Sequence, residues 1–322
     1  MELTPDFSIS INGGSTFPKE RVISIRTTDE AGIVSDSCEI EFDDFDRALQ
    51  FPNTEAKVVV FLGYKETGLT KIGTYYVKSI SIDGARCIIQ IQCNAAPKSM
   101  RSQKTQSNSG AMSDKVSAMG ANCEMDPAVS DDFDEVDLED SPQFAESDMH
   151  YMTRMSQKVG AVAKPVDGHL IVAKSMSGLS VSGEKLPTKL IDASDVASYS
   201  CEFKETETGG TSGTVYANWY DKEFGEYHLE KVGSGDPETE LQEVFSSKEC
   251  AIAAANARFQ RVTKSNKKFH FTTNGRTDLF AESPIVLRGF YAKIPTKWII
   301  ERVEHRLSSN GFITSVSCCI GD

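Results

Sequence analysis

The 322-residue sequence lacks what a membrane or secreted protein needs. No apolar run approaches the roughly 20 residues that cross a bilayer, and the opening MELTPDFSISINGG has neither the basic nor the apolar region of a signal peptide. Synthesis in the cytosol without membrane insertion is expected. Proline is scarce, at 11 residues, and the 39% apolar and 25% charged composition is that of a folded globular chain. Positive charge is also short, since 34 Lys and Arg face 47 Asp and Glu for a formal charge of −13. Gripping phosphates requires a surplus of cations, so tight nucleic-acid binding is disfavoured.

Catalytic and metal-binding signatures are missing as well. There is no GxSxG elbow, P-loop or GxGxxG, and the nearest glycine cluster, Gly209 to Gly213, lacks the lysine and following helix of a phosphate loop. His150, His169, His228, His270 and His305 are far apart and form no HExxH or HxH pair. Cys38, Cys87, Cys93, Cys123, Cys201, Cys250, Cys318 and Cys319 contain no CxxC and read as small buried hydrophobes rather than a disulfide framework. No cofactor and no enzymatic activity are predicted.

Strand-type alternation dominates the first 96 residues. Phe7, Ile9 and Ile11 form one run, Cys38, Ile40 and Phe42 alternate with acids, and Val58 to Leu62 is fully apolar. Tyr75 to Ile82 and Cys87 to Cys93 read as a hairpin closed at Asp83-Gly84, where glycine supplies positive backbone angles. After Pro97 the composition changes. Arg101 to Gly110 reads as a polar linker, and a short helix is expected to start at Ser113, carry Val116 and Met119, and end at Gly120. Ser130 to Asp148 is acidic throughout and reads as a solvated loop pinned by Phe133, Val136 and Leu138. Asp131, Asp132, Asp134 and Asp137 are its weak candidates for a cation, but the glycine and closing glutamate of an EF-hand are out of register.

A helix over about 148–159 follows, with Met152, Met155 and Val159 on its core face and Gly160 behind it, then a hairpin of Val162 to Val166 and His169 to Ala173. From about Leu190 strands return. A helix over about 247–263 shows capping-box spacing at Ser246 and Glu249 and an apolar face of Ala251, Ala255, Phe259 and Val262, and it is expected to cover the last β unit. Arg258, Arg261, Lys264, Lys267 and Lys268 at its far end complement the helix dipole.

Two stretches of the chain are alike. VVVFLGY followed by YYVKSISIDGARCIIQIQC, ending at Cys93, parallels PIVLRGF followed by WIIERVEHRLSSNGFITSVSC, ending at Cys318. Gly63-Tyr64 matches Gly289-Phe290, Tyr75 matches Trp298, Val77 matches Ile300 and Ile80 matches Val303. The organisation expected is therefore mainly β with an α/β insertion: β-barrels over 1–96 and 191–322 related by duplication, and an insertion over 97–190. Two similar units per chain let a ring of three chains present six similar positions.

On these residues the chain resembles the phage late control gene D proteins, the baseplate hub proteins of contractile tails, related to the hub part of type VI secretion spikes. The likeness is carried by Asp36-Ser37-Cys38-Glu39-Ile40, by Val58 to Tyr64 with Ile72-Gly73-Thr74-Tyr75, by Gln143 to Lys174, and by Trp298, Val303, His305, Gly311, Phe312 and Thr314. Between Lys98 and Asp140 the sequence departs from the family pattern. The resemblance implies tail-tube-like barrels and a homotrimer forming a pseudo-sixfold ring between a hexameric tail tube and a trimeric spike. It further implies contact with other baseplate proteins and the tape measure, a place in a virion tail or injection particle, and a channel that DNA passes without specific binding. His305 shares strand parity with Val303 and Leu307 and is expected to face inward as a structural imidazole. The alternatives are a binding module holding a cation or basic partner at 131–140, and a cell-wall hydrolase using Asp134 and Glu135.

Overall fold

Alternating apolar residues make a sheet that is buried on one face and polar on the other. The computed structural model describes residues 3–320 apart from 33, 137–140, 204–212, 237, 246 and 266. In the first unit run β1 (Pro5–Ile11), β2 (Ser15–Thr16), β3 (Val22–Glu30), β4 (Ser37–Asp43), β5 (Lys57–Tyr64), β6 (Gly68–Asp83) and β7 (Ile88–Asn94). Ile25, Ile40, Phe42, Val60, Leu62, Val77 and Ile91 all point into one core.

The insertion contains α1 (Lys98–Arg101), β8 (Gln103–Asn108), α2 (Met112–Cys123), β9 (Asp126–Val129), α3 (Asp131–Asp134), β10 (Ser141–Ser147), α4 (Asp148–Lys158), β11 (Val162–Val166) and β12 (His169–Ala173). Its core is rich in methionine, with Met100, Met112, Met119, Met152 and Met155 packed around Tyr151. Flexible thioether side chains fill the irregular space between short helices and a three-stranded sheet.

The chain continues through β13 (Lys189–Asp192), β14 (Val196–Phe203), β15 (Gly213–Asp221), β16 (Glu226–Ser234), β17 (Glu238–Phe245), α5 (Lys248–Ser265), β18 (Lys267–Asn274), β19 (Pro284–Arg288), β20 (Lys297–Ser308) and β21 (Gly311–Cys319). Phe269, Phe271, Trp298, Ile300, Val303 and Val316 form the core of this second unit. Both units belong to one 13-stranded sheet, because β20 pairs antiparallel with β3, from Arg302 opposite Glu30 to Ser308 opposite Ser24. Leu307 and Phe312 reach across this seam into the first core.

The two units repeat one strand order, β3-β4-β7-β6-β5 in the first and β14-β18-β21-β20-β19 in the second. Their irregularities also coincide. Val77 faces Cys93 and Ile80 faces Ile91 with a register shift between Val77 and Ser79; Ile300 faces Cys318 and Val303 faces Val316 with the same shift between Ile300 and Arg302. Likewise β3 shifts against β4 between Val22 and Ser24, and β14 shifts against β18 between Val196 and Ser198.

Several local expectations are corrected. The polar stretch 101–110 is no linker: it holds β8, which pairs with β10, and Gln106 and Asn108 both donate to the buried Gln143. Paired backbone makes a strand there although no apolar face announces one. The acidic segment is partly ordered, as α3 and β10, with Phe133 buried and Val136 against the core as anchors, while Leu138 and Asp137 lie outside the described residues. Ser113 does not cap α2. Asp114 reaches back to the Ala111 N–H, and Ser113 donates instead to the Asp134 carbonyl. The helix runs through Gly120, whose missing Cβ admits the Met125 carbonyl, and ends at Glu124 in the left-handed region.

The turn at 83–87 is also longer than Asp-Gly alone. The Asp83 carboxylate accepts from the Ala85 and Arg86 N–H groups, and Cys87, not Gly84, takes the positive φ. At Asp167-Gly168, by contrast, both residues have positive φ and the hairpin is the tight one expected. The expected helix over 148–159 forms as α4, with Gly160 in the left-handed region behind it.

Contrary to the expectation from the sequence, helix α5 does not cover the strands of the second unit. It lies on a separate sheet of order β16-β15-β17, where Ala251, Ala254 and Ala255 close on Val215, Ala217 and Phe245. The alternation of β15 resembles that of a barrel strand, but its partners are only β16 and β17. Ser247 accepts from the Cys250 N–H at the start of α5; Ser246 lies outside the described residues. Lys267 and Lys268 belong to β18, not to the helix end, and Lys268 pairs with Glu301 at 2.5 Å.

His305 faces inward as expected, in the seam, with Nδ1 3.0 Å from the Thr314 hydroxyl. Burial pushes its pKa down to about 4, against the opposing pull of Asp29. A group whose folded pKa lies below its unfolded value of about 6.5 removes stability as pH falls between the two, here by about 3 kcal/mol. His305→Gln is expected to flatten the fall in melting temperature between about pH 6.5 and 4, as read by calorimetry at fixed ionic strength.

Candidate assembly surfaces

The face of the large sheet turned away from both cores is continuous over β14-β18-β21-β20-β3-β4-β7-β6. Strand parity places short polar side chains there, such as Ser24, Ser79, Ser81, Gln90, Gln92, Thr272, Ser315 and Ser317. They bond to one another across strands. Ser79 donates to Gln92 at 3.2 Å, Gln90 to Glu39 at 2.7 Å and Ser24 to Glu41 at 2.8 Å, and His270 lies 2.9 Å from Ser317. Across the seam Arg302 pairs with Glu30 at 3.2 Å and Arg26 with Glu304 at 3.7 Å. The carboxylates of this face, Glu30, Glu39, Glu41, Asp43, Asp83, Glu202, Glu301 and Glu304, outnumber its cations Arg26, Lys78, Lys268, Arg302 and Arg306. The result is a hydrophilic and mildly acidic surface.

A second constellation lies where the insertion meets both units. Lys164 on β11 reaches Asp36 at 2.6 Å and Asp29 at 3.2 Å and also donates to the Glu30 carbonyl. Asp29 accepts from the Ala281 N–H at 2.8 Å, so one carboxylate joins β3 to the second unit as well. Asp167 accepts from Thr74 at 2.6 Å and pairs with Lys71 at 2.6 Å. These groups line a cavity of about 550 Å3. Two carboxylates share one ammonium there, and burial, followed by the neighbouring Asp29, raises the Asp36 pKa to about 7. Burial opposes the charge on Lys164, but Asp36 and Asp29 outweigh it and raise its pKa. Asp36 therefore takes up a proton readily as the pH falls, because burial and the neighbouring negative charge both favour its neutral form.

The residues singled out in the sequence do not converge. Asp131, Asp132 and Asp134 are exposed on α3 around the buried Phe133, and Asp137 is outside the described residues. Among the described residues no group of three or more His, Cys, Asp or Glu is placed to hold a metal ion. Asp132 borders a cavity of about 780 Å3 beneath α5; the other carboxylate on its wall, Glu301, is paired with Lys268. The five histidines stay apart. His150 pairs with Glu146, His228 stacks on Trp219, and His169 is exposed. None of the eight cysteines is in a disulfide. No described helix is long and apolar enough to cross a membrane. Sequence reasoning missed Asp29, Asp36 and Lys164. The available signal was a lysine inside the otherwise apolar Val162 to Val166 strand.

Comparison with known proteins places these surfaces in context. A sequence model of the phage tail baseplate hub (GPD) family matches residues 137–311. A probable baseplate hub protein of Escherichia phage 186 is 25% identical, with 98% of this chain and 92% of the relative covered. The tail protein from Neisseria meningitidis MC58 shares the fold with a TM-score of 0.72 at 11% identity, covering 98% of this chain and 97% of that one. An Escherichia coli component of the type VI secretion system, described as structurally similar to bacteriophage tail proteins, gives a TM-score of 0.59 at 11% identity over 96% of this chain and 76% of that one.

Removing one partner of a buried ion pair costs about 3–5 kcal/mol, whereas an exposed pair such as Lys71 with Asp167 contributes about 0–1. Lys164→Met is therefore expected to lower stability strongly, and Lys71→Met slightly. Asp36, with its pKa raised, holds a proton in the folded state between about pH 4 and 7 that the unfolded chain does not. Its contribution to stability is largest at the acid end of that window and declines as pH rises. Denaturant titrations should therefore show a larger Lys164→Met penalty at pH 8 than at pH 5.

Proposed function

The chain belongs to the phage tail baseplate hub (GPD) family, and from that membership we propose that it is the structural hub of a contractile tail or a related injection particle. The observation that carries the reading is the five-strand order occurring twice with the same register shifts. It supports an internal duplication, with units over 1–96 and 191–322 and an insertion over 97–190. A chain with two equivalent units converts threefold into sixfold symmetry when three copies close a ring. The hub then joins a hexameric tube on one side to a trimeric spike on the other, with other baseplate proteins and the tape measure nearby.

In this arrangement the polar face lines the channel. Its hydroxyls and amides are engaged with one another, and its excess of carboxylates repels a polyanion, so DNA passes without adsorbing. The role is mechanical: the ring transmits load between tube and spike, and no step of chemistry is assigned to it. Asp134 and Glu135, the hydrolase candidates, are exposed on the insertion. Its location is the tail baseplate, reached after synthesis in the host cytoplasm.

The test is native mass spectrometry of the full chain co-expressed with the tube and spike proteins of the same particle. Three copies per trimeric spike, with tube protein bound to the same complex, are expected. A chain that stays monomeric and co-purifies with neither overturns the proposal.

A further inference from the structure

The repeated strand order also says which edges are left over. Within the chain, the second half of β20 pairs with β3. Among the described residues, the matching part of β6, Ser79 to Asp83, has β7 on one side and no strand on the other, and β14, which corresponds to β3, ends the sheet. We infer that β6 of one copy pairs antiparallel with β14 of the next, in the register of the internal β20–β3 seam; this rests on the trimeric ring proposed above.

The register transfers residue by residue. His305 faces Thr27 in the internal seam, Val303 faces Asp29 and Glu304 faces Thr28. The shared pairings within each unit align Val303 with Ile80 and Cys38 with Phe269, so Thr27 aligns with Cys201. Across copies Ile82 therefore meets Cys201, Ile80 meets Phe203 and Ser81 meets Glu202. The side chains at these positions agree with a covered edge. Ile82 is 60% exposed and Tyr199 39%, whereas their counterparts His305 and Ile25 in the internal seam are buried; Phe203, 51% exposed, stands where the internal seam has the half-buried Asp29. A long edge strand carrying apolar residues is a surface that proteins cover or blunt. The seams differ in one respect: where the internal one has Arg26 paired with Glu304, the outer one has Ser200 and Ser81.

Cysteine chemistry reads the register directly. Antiparallel partners lie about 4.5–5.5 Å apart at Cα, within the range a disulfide spans. Ile82→Cys is made with Cys87→Ser, to remove the nearby thiol of the same hairpin, and the full chain is assembled with tube and spike proteins and mildly oxidised. Covalent species of two and three chains are expected on a non-reducing gel. They should vanish with Cys201→Ser, and Ser81→Cys, on the opposite face, should give none. As a second measurement, Ile82→Asp buries an unpaired carboxylate at the seam and should cut the trimer fraction by about tenfold or more, leaving the melting temperature of the single chain unchanged. A trimer that yields no covalent species from Ile82→Cys, or that Ile82→Asp leaves intact, overturns the seam while the ring stands. A chain that remains monomeric beside tube and spike overturns both.

Discussion

Everything in this fold depends on the backbone pairing of β20 with β3. Two domains that meet through side chains alone can rotate or slide on each other. Domains that meet by a ladder of hydrogen bonds are fixed in direction, and a slip of one residue would turn every side chain to the wrong face. Val303 and Leu307 must stay with Ile25 on the buried side, so Arg302, Glu304 and Arg306 must stay on the other. The polar face is continuous across both units for that reason. Its polar character follows from mutual hydrogen bonding among serines, glutamines and glutamates rather than from any one residue.

The insertion is held differently, by a buried charge. Lys164 projects from a strand of the insertion between two carboxylates of the first unit, and one of those carboxylates also receives an N–H from the second. Three parts of the chain thus converge on a single ammonium. A hydrophobic contact of the same size would bind the parts more tightly but would tolerate many orientations; an ammonium between two carboxylates tolerates few. The methionine core behind it supplies cohesion and little direction, and the two kinds of contact divide the work between them.

The strands of the two units were largely legible in the sequence because one face of each is apolar. Cys38, Ile40 and Phe42, or Trp298, Ile300 and Val303, declare both the strand and its buried side. Strand β8 was not legible: Gln103 to Asn108 has no apolar residue, and only its partner strand and the buried Gln143 make it a strand. Ser113 and Gly120 misled because the helix end is set by Asp114 and by the approach of the Met125 carbonyl, both tertiary facts. The cover over α5's alanines was misassigned since alternation shows that a strand has a buried face but never which sheet it joins. The likeness of the two units was visible as matched residues, yet the coincident register shifts that accompany it exist only in the pairing.

Leu307 and Phe312 close the first core although nearly the whole chain separates them from β1. During synthesis the first unit therefore emerges with a vacancy in its interior and one side of β3 unpaired, and it stays so until ribosomes reach the last strands. Loop closure over such a distance is slow, and the incomplete unit is the sort of species chaperones retain. A prematurely terminated chain lacks the residues that finish its own beginning.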